Sequence, residues 1–252
     1  MNASSPVLSV RRLSKSFGAL PVAQSIDLEL RPGARLGLIG PNGAGKTSFV
    51  NLLTGMLRAD EGEIVLAGHD ITRLKPERRV HLGLARTHQI NTLLPESTLR
   101  DNVAIAVAER DQVAWRVMRY TAIWRRCCEE AAAQLAALGI AQVADRKVAE
   151  LPYGQQRLLE IAIALVLRPR VLLLDEPAAG VPAAEAHVIH DVLERLPAEI
   201  AILMIEHDMD LVFRFAREIV VLVRGRVLVS GTPQEIAANP EVRAVYLGRS
   251  AA

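Results

Sequence analysis

The sequence predicts an α/β fold in two lobes: a core lobe on a parallel sheet with an N-terminal antiparallel β subdomain, and an inserted α-helical lobe. Three observations predict it. The uniformly apolar runs Leu36-Gly37-Leu38-Ile39, Val171-Leu172-Leu173-Leu174 and Ile200 to Ile205 read as strands buried on both faces. Val7 to Leu13 and Ile26 to Leu30 alternate instead, as half-buried strands do. From Thr98 to Gly139 the apolar positions recur at helical spacing.

Bulk properties narrow the class. The chain has 252 residues, half of them hydrophobic and 23% charged, ordinary for a globular protein with ample core. Lys and Arg number 30 against 28 Asp and Glu, so charge makes no case for nucleic acid as the main partner. Met1 to Val10 does not read as a signal peptide, and the apolar runs Ile161–Leu167 and Ile219–Val223 are core-sized rather than membrane-sized. A soluble chain is expected. Adjacent Cys127 and Cys128 suit neither a C-x-x-C redox site nor a zinc site and read as ordinary thiols of a reducing compartment.

Taken in order, Lys15-Ser16-Phe17-Gly18 lies between the first two strands, and Phe17 is a candidate to stack on a purine. Arg31-Pro32-Gly33 turns the chain into the strand ending at Ile39. Gly40-Pro41-Asn42-Gly43-Ala44-Gly45-Lys46-Thr47 follows, fits G-x-x-x-x-G-K-[ST], and leads through Ser48 into an amphipathic helix. In such a turn successive backbone N–H groups point inward at phosphate oxygens, and the helix N-terminus adds positive charge. Lys46 is placed to reach the β- and γ-phosphates of ATP and Thr47 to hold Mg²⁺. The stretch resembles the phosphate loop of P-loop NTPases, which implies a RecA-like core.

Gly62 to Asp70 reads as a strand closed by a turn and Pro76 to Leu82 as a short basic helix. Trp115, Met118, Tyr120 and Trp124, set among Arg116, Arg119, Arg125 and Arg126, form an aromatic-rich patch that reads either as a helical core with snorkelling arginines or, the preferred reading, as a surface that docks on another protein or the membrane face. Leu151 to Arg157 breaks the helical region before a helix that runs to Leu167. Glu185–Leu196 and Met209–Arg217 read as helices, Ile219–Val229 as a hairpin, and Thr232-Pro233-Gln234-Glu235 as a capping box.

Carboxylates directly after an apolar strand stand at the carboxyl edge of a sheet, where open α/β folds bind ligands. Asp175 is placed to hold Mg²⁺, Glu176 to polarise an attacking water, and His207, which also follows a buried strand, to contact the γ-phosphate.

With these residues the chain resembles the nucleotide-binding subunit of an ATP-binding cassette (ABC) transporter, from Val7 to Leu247. Leu151-Pro152-Tyr153-Gly154-Gln155 corresponds to the family signature Leu-Ser-Gly-Gly-Gln, followed at the expected distance by Asp175-Glu176-Pro177. The resemblance implies a pair of cassettes, homo- or heterodimeric, arranged head to tail, so that Pro152, Tyr153, Gly154 and Gln155 serve the ATP on the partner's phosphate loop. It implies that Gln89 senses Mg²⁺ and the attacking water, that Phe17 stacks on adenine, and that Ala178-Ala179-Gly180-Val181 crosses to the other subunit. It implies a single cassette, with residues 1–88 and 158–252 as core lobe and 89–157 as helical lobe. Four positions depart from the pattern: Pro152 stands for the signature serine, Tyr153 for a glycine, His88 precedes the glutamine where an aromatic is common, and the crossing loop lacks its aspartate.

Arg86-Thr87-His88-Gln89, Leu151-Pro152-Tyr153-Gly154-Gln155, Pro177-Ala178-Ala179-Gly180 and the ending Asn239-Pro240-Glu241-Val242 through Tyr246-Leu247-Gly248 are similar to ATPase subunits of branched-chain amino acid importers, and the long helical segment around Trp115 to Cys128 favours the longer of the two types. The implied partners are two integral-membrane permease subunits and, indirectly, a solute-binding protein, with the chain peripheral on the cytoplasmic face of the cell membrane and no nucleic acid. A urea or amide importer, a lipid exporter, or a cassette acting on nucleic acid or ribosomes remain alternatives. A P-loop kinase leaves Leu151–Gln155 and His207 unexplained.

Overall fold

The computed structural model describes residues 5–87, 93–114 and 121–247. In chain order the elements are β1 (Leu8–Phe17), β2 (Leu20–Leu30), β3 (Arg35–Ile39), α1 (Lys46–Thr54), β4 (Glu61–Leu66), β5 (His69–Asp70), α2 (Pro76–His81) and β6 (Leu84–Arg86). Then come α3 (Leu99–Arg110), α4 (Thr121–Ala137), α5 (Tyr153–Val166), β7 (Val171–Asp175), α6 (Ala183–Glu194) and β8 (Ala201–Ile205). The chain ends with α7 (Met209–Phe215), β9 (Glu218–Val223), β10 (Arg226–Gly231), α8 (Pro233–Ala238) and α9 (Pro240–Leu247). No helix among the described residues is long and apolar enough to cross a membrane.

The chain forms two compact units, one of residues 1–84, 170–176 and 197–252, the other of 85–169 and 177–196. The first carries an antiparallel sheet in the order β2-β1-β4-β5 and a second sheet in which β10-β9-β3-β8-β7 are neighbours. In the second, β9, β3, β8 and β7 run parallel, and β10 closes an antiparallel hairpin with β9. Alternation along β3 assigns its two faces. Leu36 and Leu38 join Phe49, Val50, Leu52 and Leu53 of α1 and Leu8, Val10, Ile64 and Leu66 of the antiparallel sheet in one core. Ile39 looks the other way, into a smaller cluster with Val212, Ile219, Val221, Ile236 and Val242. A helix with apolar residues clustered on its buried side is thus held against two sheets, and this fixes the loop that precedes it.

The β1–β2 hairpin is longer than alternation predicts. The strands pair as far as Phe17 opposite Leu20, so Phe17 lies in a strand and not between two. Register shifts between Val10 and Leu13 and again between Leu13 and Ser16 interrupt the alternation that marks a strand. At the first of them Arg12 has φ 47°, and its N–H donates to Asp27 Oδ1 at 2.8 Å.

In the second unit α3 packs on α4 and both pack on α5, which in turn packs on α6. That unit therefore includes α5 and α6 as well as the stretch 93–114 and 121–152. Thr98 caps α3, its side chain accepting from the Asp101 N–H. Arg110, at the end of α3, donates through Nη1 and Nη2 to Glu130 at 2.6 and 2.9 Å, and through Nη1 to the Val166 carbonyl at 2.8 Å. One guanidinium thus joins three helices. Hydrogen bonding from Arg110 holds the Glu130 carboxyl at about 2, against an ordinary 4.5, with Arg168 adding to the effect. A depressed carboxyl stabilises the fold fully above its ordinary value and loses that contribution as pH falls from 4.5 through about 2. Water reaches the pair, so screening reduces the effect to on the order of 1 kcal/mol. Arg110→Met should lower stability by about 1–3 kcal/mol in urea unfolding and flatten the acid dependence over that window.

Candidate nucleotide site

Parallel pairing aligns three strand ends. Leu38 of β3 is opposite Ile205 of β8, and Ile205 is opposite Asp175 of β7. Whatever follows these residues emerges at one edge: the loop 40–45, the pair Asp175-Glu176, and Glu206-His207.

The loop is built around backbone contacts. Ala44 N–H donates to the Pro41 carbonyl at 3.1 Å, and Gly225 N–H, in the β9–β10 turn, donates to the Ala44 carbonyl at 2.8 Å. Gly45 has φ 102°, and a Cβ there would stand 2.3 Å from the Val22 carbonyl oxygen, so only glycine fits where the loop passes β2. Lys46 is 7% exposed, and its Nζ donates to the carbonyls of Gly40 at 2.7 Å and Pro41 at 3.2 Å. An ammonium has three donors, so these bonds hold Lys46 across the loop and leave one to point at a bound anion. Burial lowers the Lys46 pKa, and the charges of Glu176 and Asp175 oppose that shift. Asn42, Gly43 and Thr47 are exposed, Pro41 and Ser48 half-buried.

Glu176 departs from ordinary backbone geometry. Its φ is +49°, a left-handed conformation that costs a non-glycine residue about 1–3 kcal/mol, and its N–H donates to the Ile205 carbonyl at 2.8 Å. Its Oε1 lies 2.6 Å from His207 Nε2. His207 is positioned in turn by buried Glu206, whose Oε2 accepts the His207 N–H at 2.9 Å, and by Asp208, which caps α7. Two side chains with separate expected roles, one on the attacking water and one on the γ-phosphate, are in contact. A carboxylate oriented by an imidazole can accept a proton from water.

Phe17, at the end of β1, is 54% exposed. Lys15 Nζ lies 5.6 Å from its ring centroid and is anchored to Asp60 at 2.6 Å, while Asp60 also accepts the Ser16 N–H at 2.8 Å. Asp60 thereby fixes the strand end that presents the ring.

In the other unit, the signature residues form the start of α5. Tyr153 is the first helical residue and Pro152 the cap, and the Gln155 N–H donates to the Pro152 carbonyl at 3.1 Å. Gly154 is buried and Pro152 exposed. The helix thus begins inside the signature rather than after it. His88 and Gln89 lie outside the described residues, as do Trp115, Arg116, Met118, Arg119 and Tyr120 of the aromatic patch; Trp124 is half-buried on α4, as is Ile123, with Arg125 and Arg126 exposed.

Sequence reasoning missed two residues at the phosphate loop. Gly225 reads only as a hairpin turn, yet it supports Ala44. Tyr246 of α9 meets the backbone of Gly40 through a hydrogen bond, while burial raises its hydroxyl pKa.

A glycine-rich strand-to-helix loop with a buried lysine, facing carboxylates at the end of a parallel strand, defines a phosphate-loop ATPase. Comparison with known proteins sharpens the class. Residues 23–179 match the family described as ABC transporter, and residues 226–252 the family described as branched-chain amino acid ATP-binding cassette transporter. The chain is 37% identical to the high-affinity branched-chain amino acid transport ATP-binding protein LivG of Escherichia coli, over 98% of this chain and 100% of that protein. It is 36% identical to BraF of Pseudomonas aeruginosa, which has the same description, with the same coverage. A solved nucleotide-free ATP-binding cassette from an ABC transporter superposes with a TM-score of 0.84 at 29% identity, covering 96% of this chain and 98% of that one. The chain belongs to the ABC transporter family and is one of its ATP-binding, ATP-hydrolysing cassettes.

Proposed function

We propose that this cassette drives uptake of branched-chain amino acids through a membrane permease. The observation that carries the solute class is the near-full-length relation to LivG, which extends through the C-terminal segment. ATP sits on the loop Gly40 to Ser48, with Lys46 on the β- and γ-phosphates and adenine on Phe17. Glu176 takes a proton from the attacking water while His207 holds the carboxylate. His207 must loosen from Glu176, or share the contact, to touch the γ-phosphate as well.

The donor set suits Mg²⁺: the Thr47 hydroxyl and the Asp175 carboxylate are oxygen ligands, few in number, as this ion prefers when phosphates and waters complete its shell. Bound there, Mg²⁺ would neutralise phosphate charge. Gln89 would complete the water-positioning set. A second cassette, identical or not, pairs head to tail so that Pro152, Tyr153, Gly154 and Gln155 face its ATP. The chain acts as a single cassette of core and helical lobes, peripheral on the inner face of the membrane, bound to two permease subunits and indirectly to a solute-binding protein.

Base–aromatic stacking is worth about 1–3 kcal/mol, so Phe17→Ala should raise the ATP Kd by about 5- to 150-fold and leave tripolyphosphate binding unchanged. Equal weakening of both ligands would mean a misfolded loop rather than a lost stack. The assembly is tested by pull-down of the tagged chain from detergent-solubilised native membranes. Two permease subunits and a cassette partner are the expected companions. Recovery of ribosomes, or of nothing membrane-embedded, would remove the transport reading and leave the ATPase intact.

A further inference from the structure

Two departures from the family pattern meet each other in the structure. Tyr153 replaces a signature glycine, and Ala178-Ala179-Gly180-Val181 lacks the usual aspartate of the crossing loop. Both lie in the same compact unit. A Cβ on Gly180 would stand 3.1 Å from Cε1 of Tyr153, 3.2 Å from its Cζ and 3.3 Å from its Oη. Gly180 also has φ +76°, so the backbone is left-handed, and the ring stands in tight contact with the position a Cβ would take.

Arg157, one turn along α5, joins the two. Its guanidinium lies 5.1 Å from the Tyr153 ring centroid, and Nη2 donates to Tyr153 Oη at 3.0 Å and to the Ala179 carbonyl at 3.4 Å. Nη1 donates to Glu160 Oε2 at 2.8 Å, and Arg157 and Glu160 are 6% and 4% exposed. A buried ion pair is a poor source of stability, because desolvation offsets its attraction. Here it fixes the direction of the guanidinium, and through it the ring and the loop.

We propose that Tyr153, Arg157 and Gly180 form a positioning unit that couples the signature turn to the crossing loop of the same subunit. The crossing loop begins at Ala178, separated from Glu176 by Pro177 alone. Contact of the signature with the partner's ATP is then transmitted to the segment that carries the hydrolytic carboxylate. The inference rests on the head-to-tail pairing proposed above.

The test is ATP turnover by the intact transporter, set beside ATP binding by the isolated full-length subunit. Tyr153→Gly restores the family glycine and removes the contact. Arg157→Met made together with Glu160→Met removes the bridge without leaving a buried charge unpaired. Each should lower kcat by about tenfold, and all three changes together no further, since residues acting as one unit are non-additive. The ATP Kd should stay within about twofold, because binding depends on the subunit's own phosphate loop. Additive losses, or native turnover in Tyr153→Gly, would overturn the coupling. Should the methionine pair fail to fold, Tyr153→Phe keeps the ring and loses only the Oη bond. A fall in its kcat of about threefold at unchanged Kd supports the coupling, and native kcat refutes it. Gln155→Glu separates the parent reading, because it sets a negative charge against the partner's γ-phosphate. Turnover preserved in that variant removes the head-to-tail pairing itself. Turnover lost there but native in Tyr153→Gly removes only the coupling.

Discussion

Glu176→Gln binds ATP with near-native affinity and hydrolyses it on the order of 10²- to 10⁴-fold more slowly, the cost of losing a positioned general base. Glutamine keeps the side-chain length and an oxygen that can face His207 Nε2, now at 2.6 Å from the carboxylate, but it cannot accept a proton from water. A second substitution separates chemistry from strain. Glu176 has φ +49°, and asparagine tolerates that conformation better than glutamate. Glu176→Asn should therefore be as inactive as Glu176→Gln yet unfold at higher urea, by about 1 kcal/mol or less. If Glu176 is the base, as proposed, the left-handed backbone places its carboxylate. Turnover by Glu176→Gln close to the native rate would assign the base elsewhere.

Lys46→Ala has the second largest effect, and it falls on binding. Its Nζ already spans the carbonyls of Gly40 and Pro41, so the ammonium is placed before any anion arrives. Hydrogen bonds to charged groups are worth about 1.5–3 kcal/mol, so the ATP Kd should rise by about 10- to 150-fold in titration calorimetry. Lys46→Arg should not rescue it. A planar guanidinium cannot occupy the 7%-exposed site of a point charge without moving the loop. Native affinity in Lys46→Ala would mean that the phosphates lie elsewhere.

How much of this was legible in the sequence depends on the range of each interaction. The phosphate loop is a local object: eight consecutive residues carry its chemistry, and the apolar strand and amphipathic helix around it carry its context. The strands β7 and β8 were legible for the same reason, since a run buried on both faces announces itself. The far half of the β1–β2 hairpin was not, because bulges near Arg12 and Lys15 shift the alternation that pattern reading depends on. Phe17 was singled out while its strand was missed. Contacts across long stretches of chain leave no local trace. Gly225 bracing Ala44, Tyr246 at Gly40 and Asp60 holding the Phe17 strand end could not be read from spacing. Tyr153 and the Ala-Ala-Gly loop were visible as departures, but that they touch is a fact of the fold.

The central claim is that ATP hydrolysis at Glu176 powers entry of branched-chain amino acids. Its most direct measurement is uptake of radiolabelled leucine by cells that lack the native gene and carry the chain on a plasmid. The account predicts uptake with the native chain, none with Glu176→Gln, and competition by unlabelled isoleucine and valine but not by urea. Leucine uptake equal in the two strains, or native uptake blocked by urea, would contradict it.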